Sequence, residues 1–197
     1  MSKGTLIYLN RFAENLRREL GEDIAQKVLM GSEKFTESTN LVKVAVWMNG
    51  AITRLGDLVD SRQLSDFFQT CGVRCAESNL KGALAARTRR RVAPSLEAFI
   101  DAEIAGSVSA FSRMEREGDA LAIYYMPANT GRMRCFCPLM RKLPADQTAS
   151  LTYCLCSRAF TQHFWETILE QPVQVEVTQS ALMGHKECKF IIRWSGN

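Results

Sequence analysis

The sequence predicts an α+β fold: four or five helices, then strand, strand, helix, strand and strand. Three observations carry that prediction. Apolar residues recur at helical spacing through the first half of the chain. From Leu121 the pattern changes, and Leu121, Ile123 and Tyr125 alternate with their neighbours as a strand would. Near the end, EQPVQVEV and ECKFIIRW alternate again around a turn through Gly184, as two paired strands do.

The helices come first. Over residues 5–33, Leu9, Phe12, Leu16 and Leu20 form one stripe, and Ile24, Val28 and Leu29 resume it after a weak point at Gly21. A second helix runs from Ser38 or Thr39 to Leu58, with Leu41, Val44, Val46, Trp47, Ile52 and Leu55 as apolar surface. Ser61 is placed to cap a third segment carrying Leu64, Phe67 and Phe68. After Gly72 a further helix reaches about Arg90. Pro94 and Ser95 then interrupt the chain before a helix bearing Leu96, Phe99, Ile100, Ile104 and Phe111.

The change to strands falls at Gly118. Asn129-Thr130-Gly131 is a turn signal, and Met133 to Cys137 would be the strand returning from it, ended by Pro138. Ser157 is placed to cap a helix with Phe160, Phe164 and Ile168 on one stripe. Pro172 opens a strand with Val173, Val175 and Val177 on one face and Gln174, Glu176 and Thr178 on the other. In the last strand Cys188, Phe190, Ile192 and Trp194 share a face. The expected organisation is one domain over 1–197, helical over 1–117 and strand-strand-helix-strand-strand over 118–197.

Composition excludes several classes. Apolar residues make up 46% and charged residues 23%, which argues for a packed core rather than disorder. No run approaches the length of a membrane-spanning helix. The N-terminus turns charged within a few residues, so no signal peptide and a cytoplasmic location are expected. A net charge of +4 is too small to imply nucleic acid. Its concentrated part, Arg87 to Arg91, reads as a solvated helix end. Phosphate loops, nucleotide fingerprints and Ser-His-Asp orders are absent from the sequence.

The cysteines carry the chemistry. Five of the seven, Cys135, Cys137, Cys154, Cys156 and Cys188, fall between Arg134 and Trp194 as two Cys-x-Cys pairs and a strand cysteine. That grouping is what a thiolate metal site would use, with zinc ahead of an iron–sulfur cluster because no C-x2-C-x2-C run is present. Small buried hydrophobes and a thiol-based reaction are the competing readings. Cys71 and Cys75, in CGVRC, lie one helical turn apart and are the candidate catalytic thiols. A helix starting near Gly72 would place Cys71 at its N-terminus and favour thiolate, with Glu77 and His163 as conceivable proton-transfer partners.

The helix leading into EQPVQVEV, followed by SALMGHKECKFII, resembles the 4-vinyl reductase-like ligand-binding domain over about Leu121 to Trp194. The resemblance implies a four-stranded antiparallel sheet with helices packed on one face, shared with haem-based nitric-oxide sensors. In the family's phenol sensors a structural zinc sits beside the ligand pocket. Cys154 and Cys188 match its first and last ligand positions. Val177 and Ser180 stand at the middle two, so a metal here would need Cys156, Cys135 or Cys137. The full cysteine pattern is also similar to cysteine-rich bacterial proteins near L-2-amino-thiazoline-4-carboxylic acid hydrolases, over about residues 65–194.

These features predict a module that binds a small apolar or thiol-reactive molecule, a metal, or both. Phe164, Trp165, Tyr124, Phe190 and Trp47 would line its pocket beneath the helix from Ser157 to Leu169. A cysteine-dependent hydrolase of a small ring or amide is the alternative. Self-association into a homodimer through the helix from Ser38 to Leu58 is a third reading. As a sensor the module would need a separate output partner.

Overall fold

The computed structural model describes residues 3–107, 112–126 and 134–194. Seven helices and a four-stranded antiparallel sheet are present among them. Helices α1 (Lys3–Leu20) and α2 (Glu22–Leu29) are separated by Gly21, whose φ of 87° lies where side chains other than glycine's are disfavoured. Asn40 caps α3 (Leu41–Leu58) by accepting from the Val42 amide at 2.8 Å. A capping box between Asp60 and Gln63 starts α4 (Ser61–Glu77), so the cap is Asp60 and not Ser61. Helices α5 (Leu80–Val92) and α6 (Leu96–Gly106) follow, the latter capped by Ser95.

The expected break at Gly72 is not there. Helix α4 runs through it to Glu77, and the chain breaks instead at Ser78–Asn79. The reason is packing against α7 (Cys154–Leu169). A Cβ on Gly72 would lie 2.2 Å from the Cys156 carbonyl oxygen, 2.8 Å from the Ala159 Cβ and 2.9 Å from the Phe160 amide nitrogen. At this mid-helix position nothing larger than glycine fits between the two backbones.

The strands are β1 (Ser112–Glu117), β2 (Ala120–Tyr125), β3 (Val173–Gln179) and β4 (Cys188–Trp194), in the order β1-β2-β4-β3. All neighbours are antiparallel, with Leu121 opposite Ile192 and Val175 opposite Ile192 on its other side. Strand β1 is SRMERE, a charged edge strand that the sequence reading passed over. Conversely, residues 134–137 are not a strand. Phe111, the turn at 129–131 and Met133 lie outside the described residues. The α+β outline holds, with β1 rather than Met133–Cys137 completing the first hairpin.

One sheet face and the helices enclose a core of Leu121, Ile123, Phe190 and Ile192 against Phe99, Trp165 and Ile168. The space beneath α7 where a pocket was expected is therefore filled: Trp165, Ile168 and Phe190 are each at most 3% exposed. Tyr124 faces the other side of the sheet, with the Arg113 guanidinium 3.4 Å from its ring centre. Trp47 is also elsewhere, donating from Nε1 to the Met30 carbonyl at 3.0 Å and packed edge-on against Phe35. A second core joins α1, α2, α3 and α4 to residues 139–153. Val44, Met48, Ile52 and Leu55 of α3 are buried in it, while Val42, Val46 and Leu58 on the same helix stay exposed. No helix among the described residues is long and apolar enough to cross a membrane.

In an exposed helix, Gly→Ala stabilises by about 0.5–1 kcal/mol. Gly72→Ala should do the reverse and cost about 3 kcal/mol or more, because the new methyl meets backbone atoms that cannot give way. The urea unfolding midpoint measures this. An unchanged or higher midpoint would contradict the close crossing.

Candidate functional site

The crossing at Gly72 sets the positions of the thiols. Cys71 and Cys75 lie on one face of α4, Cys71 well inside it and Cys75 in its last turn, so the helix dipole does not favour a thiolate at either. Burial pushes the Cys71 thiol up from 9.0 to about 12. Opposing that, Asn15 Nδ2 donates to its sulfur at 3.3 Å. Asn15 is buried and held in turn by Arg74, which donates to Asn15 Oδ1 and to Glu19 Oε1, the latter at 2.7 Å. Burial also raises the Cys75 thiol, with the nearby Cys137 adding to the rise and the Arg11 charge opposing it. The thiols proposed as nucleophiles are therefore protonated at neutral pH.

Residues 134–149 bring in the next two cysteines. Arg134 pins this segment by donating to the carbonyls of Gln147 at 2.6 Å, Pro144 at 2.5 Å, Ala181 at 3.3 Å and Leu182 at 3.4 Å. The Cys137 carbonyl accepts from Met140 and Arg141, closing a tight turn at Pro138. Its sulfur lies 2.7 Å from the hydroxyl of buried Tyr153. Desolvation raises Cys135, Cys137, Cys156 and Tyr153 alike.

The five thiols read as one metal set separate in space. Cys154 and Cys156 open α7 two residues apart, about 200° around the helix, so they face different ways. Cys154 turns to the sheet side, where its sulfur is 3.1 Å from Ser180 Oγ, and Cys188 accepts from the Ala181 amide at 3.4 Å. Cys156 turns to α4 with Cys137, and Cys135 stands between the two groups. Among the described residues no group of three or more His, Cys, Asp or Glu side chains is placed to hold a metal ion. The donor set therefore does not fit the expected zinc or an iron–sulfur cluster. His163 lies on α7 and His185 in the exposed turn before β4; neither borders the cavity described next.

A cavity of about 370 Å³ opens between α1, α4 and the first turn of α7. Phe12, Met48, Phe68 and Leu139 form its apolar wall. Cys71, Cys75, Cys137, Cys156 and Tyr153 form the polarisable one. Tyr8, Arg11, Arg18 and Arg74 ring the mouth together with the exposed carboxylates of Glu14 and Glu77. The sequence reading singled out the thiols but not Asn15, Tyr153, Arg134 or Arg11. Asn15 left a signal: it lies three residues after Phe12, a polar residue in phase with an apolar stripe.

The family described as "Family of unknown function (DUF6144)" matches over residues 5–195. No curated protein matches the chain. Among solved structures, an H-NOX domain from Shewanella oneidensis, determined by NMR in an Fe(II)CO ligation state, aligns with a TM-score of 0.52 at 9% identity. That alignment covers 97% of this chain and 98% of the other. The phenol-responsive sensory domain of the transcription activator PoxR, solved with phenol, aligns with a TM-score of 0.42 at 10% identity, over 91% and 90% of the two chains. The H-NOX likeness shows the fold.

A thiol whose pKa is raised by folding stabilises the native state fully below its unfolded pKa and ceases to do so as pH rises through the folded one. For Cys71 that window runs from 9.0 to about 12. Stability should fall there by up to about 1.4 kcal/mol per pH unit from this group alone. Cys71→Ala should flatten the loss in urea titrations at successive pH values. Equal slopes for the two proteins would show that Cys71 is not desolvated.

Proposed function

The chain belongs to the DUF6144 family, and we propose that it is a small-molecule-binding module whose ligand occupies the cavity between α1, α4 and the start of α7. The observation that carries this reading is the lining. Four neutral thiols, a buried tyrosine and four apolar side chains give a soft, weakly polar interior of a size that suits a compact organic molecule. The H-NOX domain that shares the fold is a ligand-holding protein, described in its Fe(II)CO state. In a sensing role the module would act through a separate output partner.

The finer relationship to the 4-vinyl reductase-like domains is part of the proposal. Ser180 stands where that resemblance expects a cysteine, and it lies beside Cys154 in the fold, with Cys188 close by. The hydrolase reading has no comparable support, since burial keeps Cys71 and Cys75 protonated. We also propose that residues 1–197 act as one unit, because the α4–α7 crossing joins the helical part to the sheet.

Compact aromatic fragments screened by ligand-observed NMR should include competing binders. At a hundredfold excess over Kd such a binder stabilises by about 2.7 kcal/mol. The midpoint should rise in a single transition shared by far-UV circular dichroism and tryptophan fluorescence. Cys75→Trp, which fills the cavity from its half-buried wall, should abolish binding while leaving the fold intact. Binding that survives this substitution would place the ligand elsewhere. Two separate unfolding transitions would contradict the single unit.

A further inference from the structure

We propose that the ligand carries an anionic group, a carboxylate or its equivalent, and that Arg11 at the cavity mouth is the residue that selects it. The inference rests on the cavity being the ligand site and adds the chemical class. Three guanidiniums border the mouth, and two of them are committed. Arg74 serves Asn15 and Glu19, and Arg18 pairs with Glu19 at 3.4 Å. Arg11 differs. It is half-buried, and its guanidinium carbon lies over the Tyr8 ring, 5.6 Å from the ring centre, with no carboxylate in ion-pair range among the described residues.

A guanidinium at a cavity mouth with no carboxylate partner is a charge free to receive an anionic group. Its planar fork suits a carboxylate, which it can hold through two parallel hydrogen bonds. The charge of Arg11 already reaches into the cavity, because it favours the thiolate of Cys75 on the wall. Glu14 and Glu77 also border the mouth, but both are exposed and screened by solvent. An anion seated at Arg11 would leave its organic body against Cys75, Cys156 and Tyr153 inside.

Iodoacetate and iodoacetamide, near-isosteric reagents differing in charge, test this on the intact protein. In both, the Cys75 thiolate attacks the methylene carbon, the carbon–iodine bond breaks, and iodide leaves a thioether. The ratio of the two rates cancels the thiolate fraction. We expect the ratio at Cys75 in the native protein to exceed that of the urea-unfolded chain, and that of Cys188 outside the cavity, by about tenfold, the factor given by about 1.4 kcal/mol. Arg11→Gln should return it to the reference value, Arg11→Lys should keep part of it, and added salt should lower it. A native ratio equal to the reference, with both reagents reaching Cys75, overturns the anionic class and leaves the cavity standing. Failure of both reagents to reach native Cys75 overturns the cavity as well.

Discussion

Backbone contact between two helices at Gly72 is the constraint on which the rest of the structure depends. With only a hydrogen there, α4 approaches α7 until its Cα side faces the Cys156 carbonyl and the Phe160 amide. Two consequences follow from that approach. Cys71 and Cys75 on α4 come to line the same cavity as Cys156 on α7. The core of α1, α2, α3 and α4 is tied to the layer of helices that covers the sheet. The cavity lies beside that crossing, between α1, α4 and the first turn of α7.

Burial then decides what the thiols can do. A cluster of cysteines suggests ligation or nucleophilic attack when counted along the chain, and both need thiolate. In the fold the cluster is divided by helix phase, with Cys154 and Cys156 facing opposite ways, and desolvation raises every one of the seven. Neutral thiols are polarisable and weakly polar, and four of them, Cys71, Cys75, Cys137 and Cys156, form one wall of the cavity. The charged groups stay at its mouth, where water still reaches them. That division, soft inside and cationic at the rim, suits a ligand with two unlike ends.

The strands were legible in the sequence because alternation marks a sheet face directly: Val173, Val175, Phe190, Ile192 and Trp194 all fall on the predicted side. The helices were legible as stripes, while several of their boundaries were not: α4 runs on to Glu77, and α7 starts at Cys154 with Ser157 inside it rather than capping it. Gly72 reads as a breaker in sequence, and only the neighbouring backbone explains its presence mid-helix. Strand β1 was missed because SRMERE lies at the sheet edge, where one face carries charges and the apolar signal shrinks to Met114. Of the thiols the sequence drew attention to, Cys71, Cys75, Cys137 and Cys156 line one cavity, while Cys154 and Cys188 lie on the sheet side. Their division, the cavity and the roles of Asn15, Arg134 and Tyr153 depend on contacts between segments far apart in sequence.

The central claim is that thiols from α4, α7 and the 134–149 segment meet around one cavity. A short bis-electrophile such as dibromobimane measures that directly, since it becomes fluorescent only when it alkylates two neighbouring thiols, each with loss of bromide. Applied to the native protein at a pH that ionises cysteine, and mapped by mass spectrometry, it should join Cys71 or Cys75 to Cys156 or Cys137. Cross-links confined to Cys71–Cys75 within one helix, or single adducts throughout, would contradict the account.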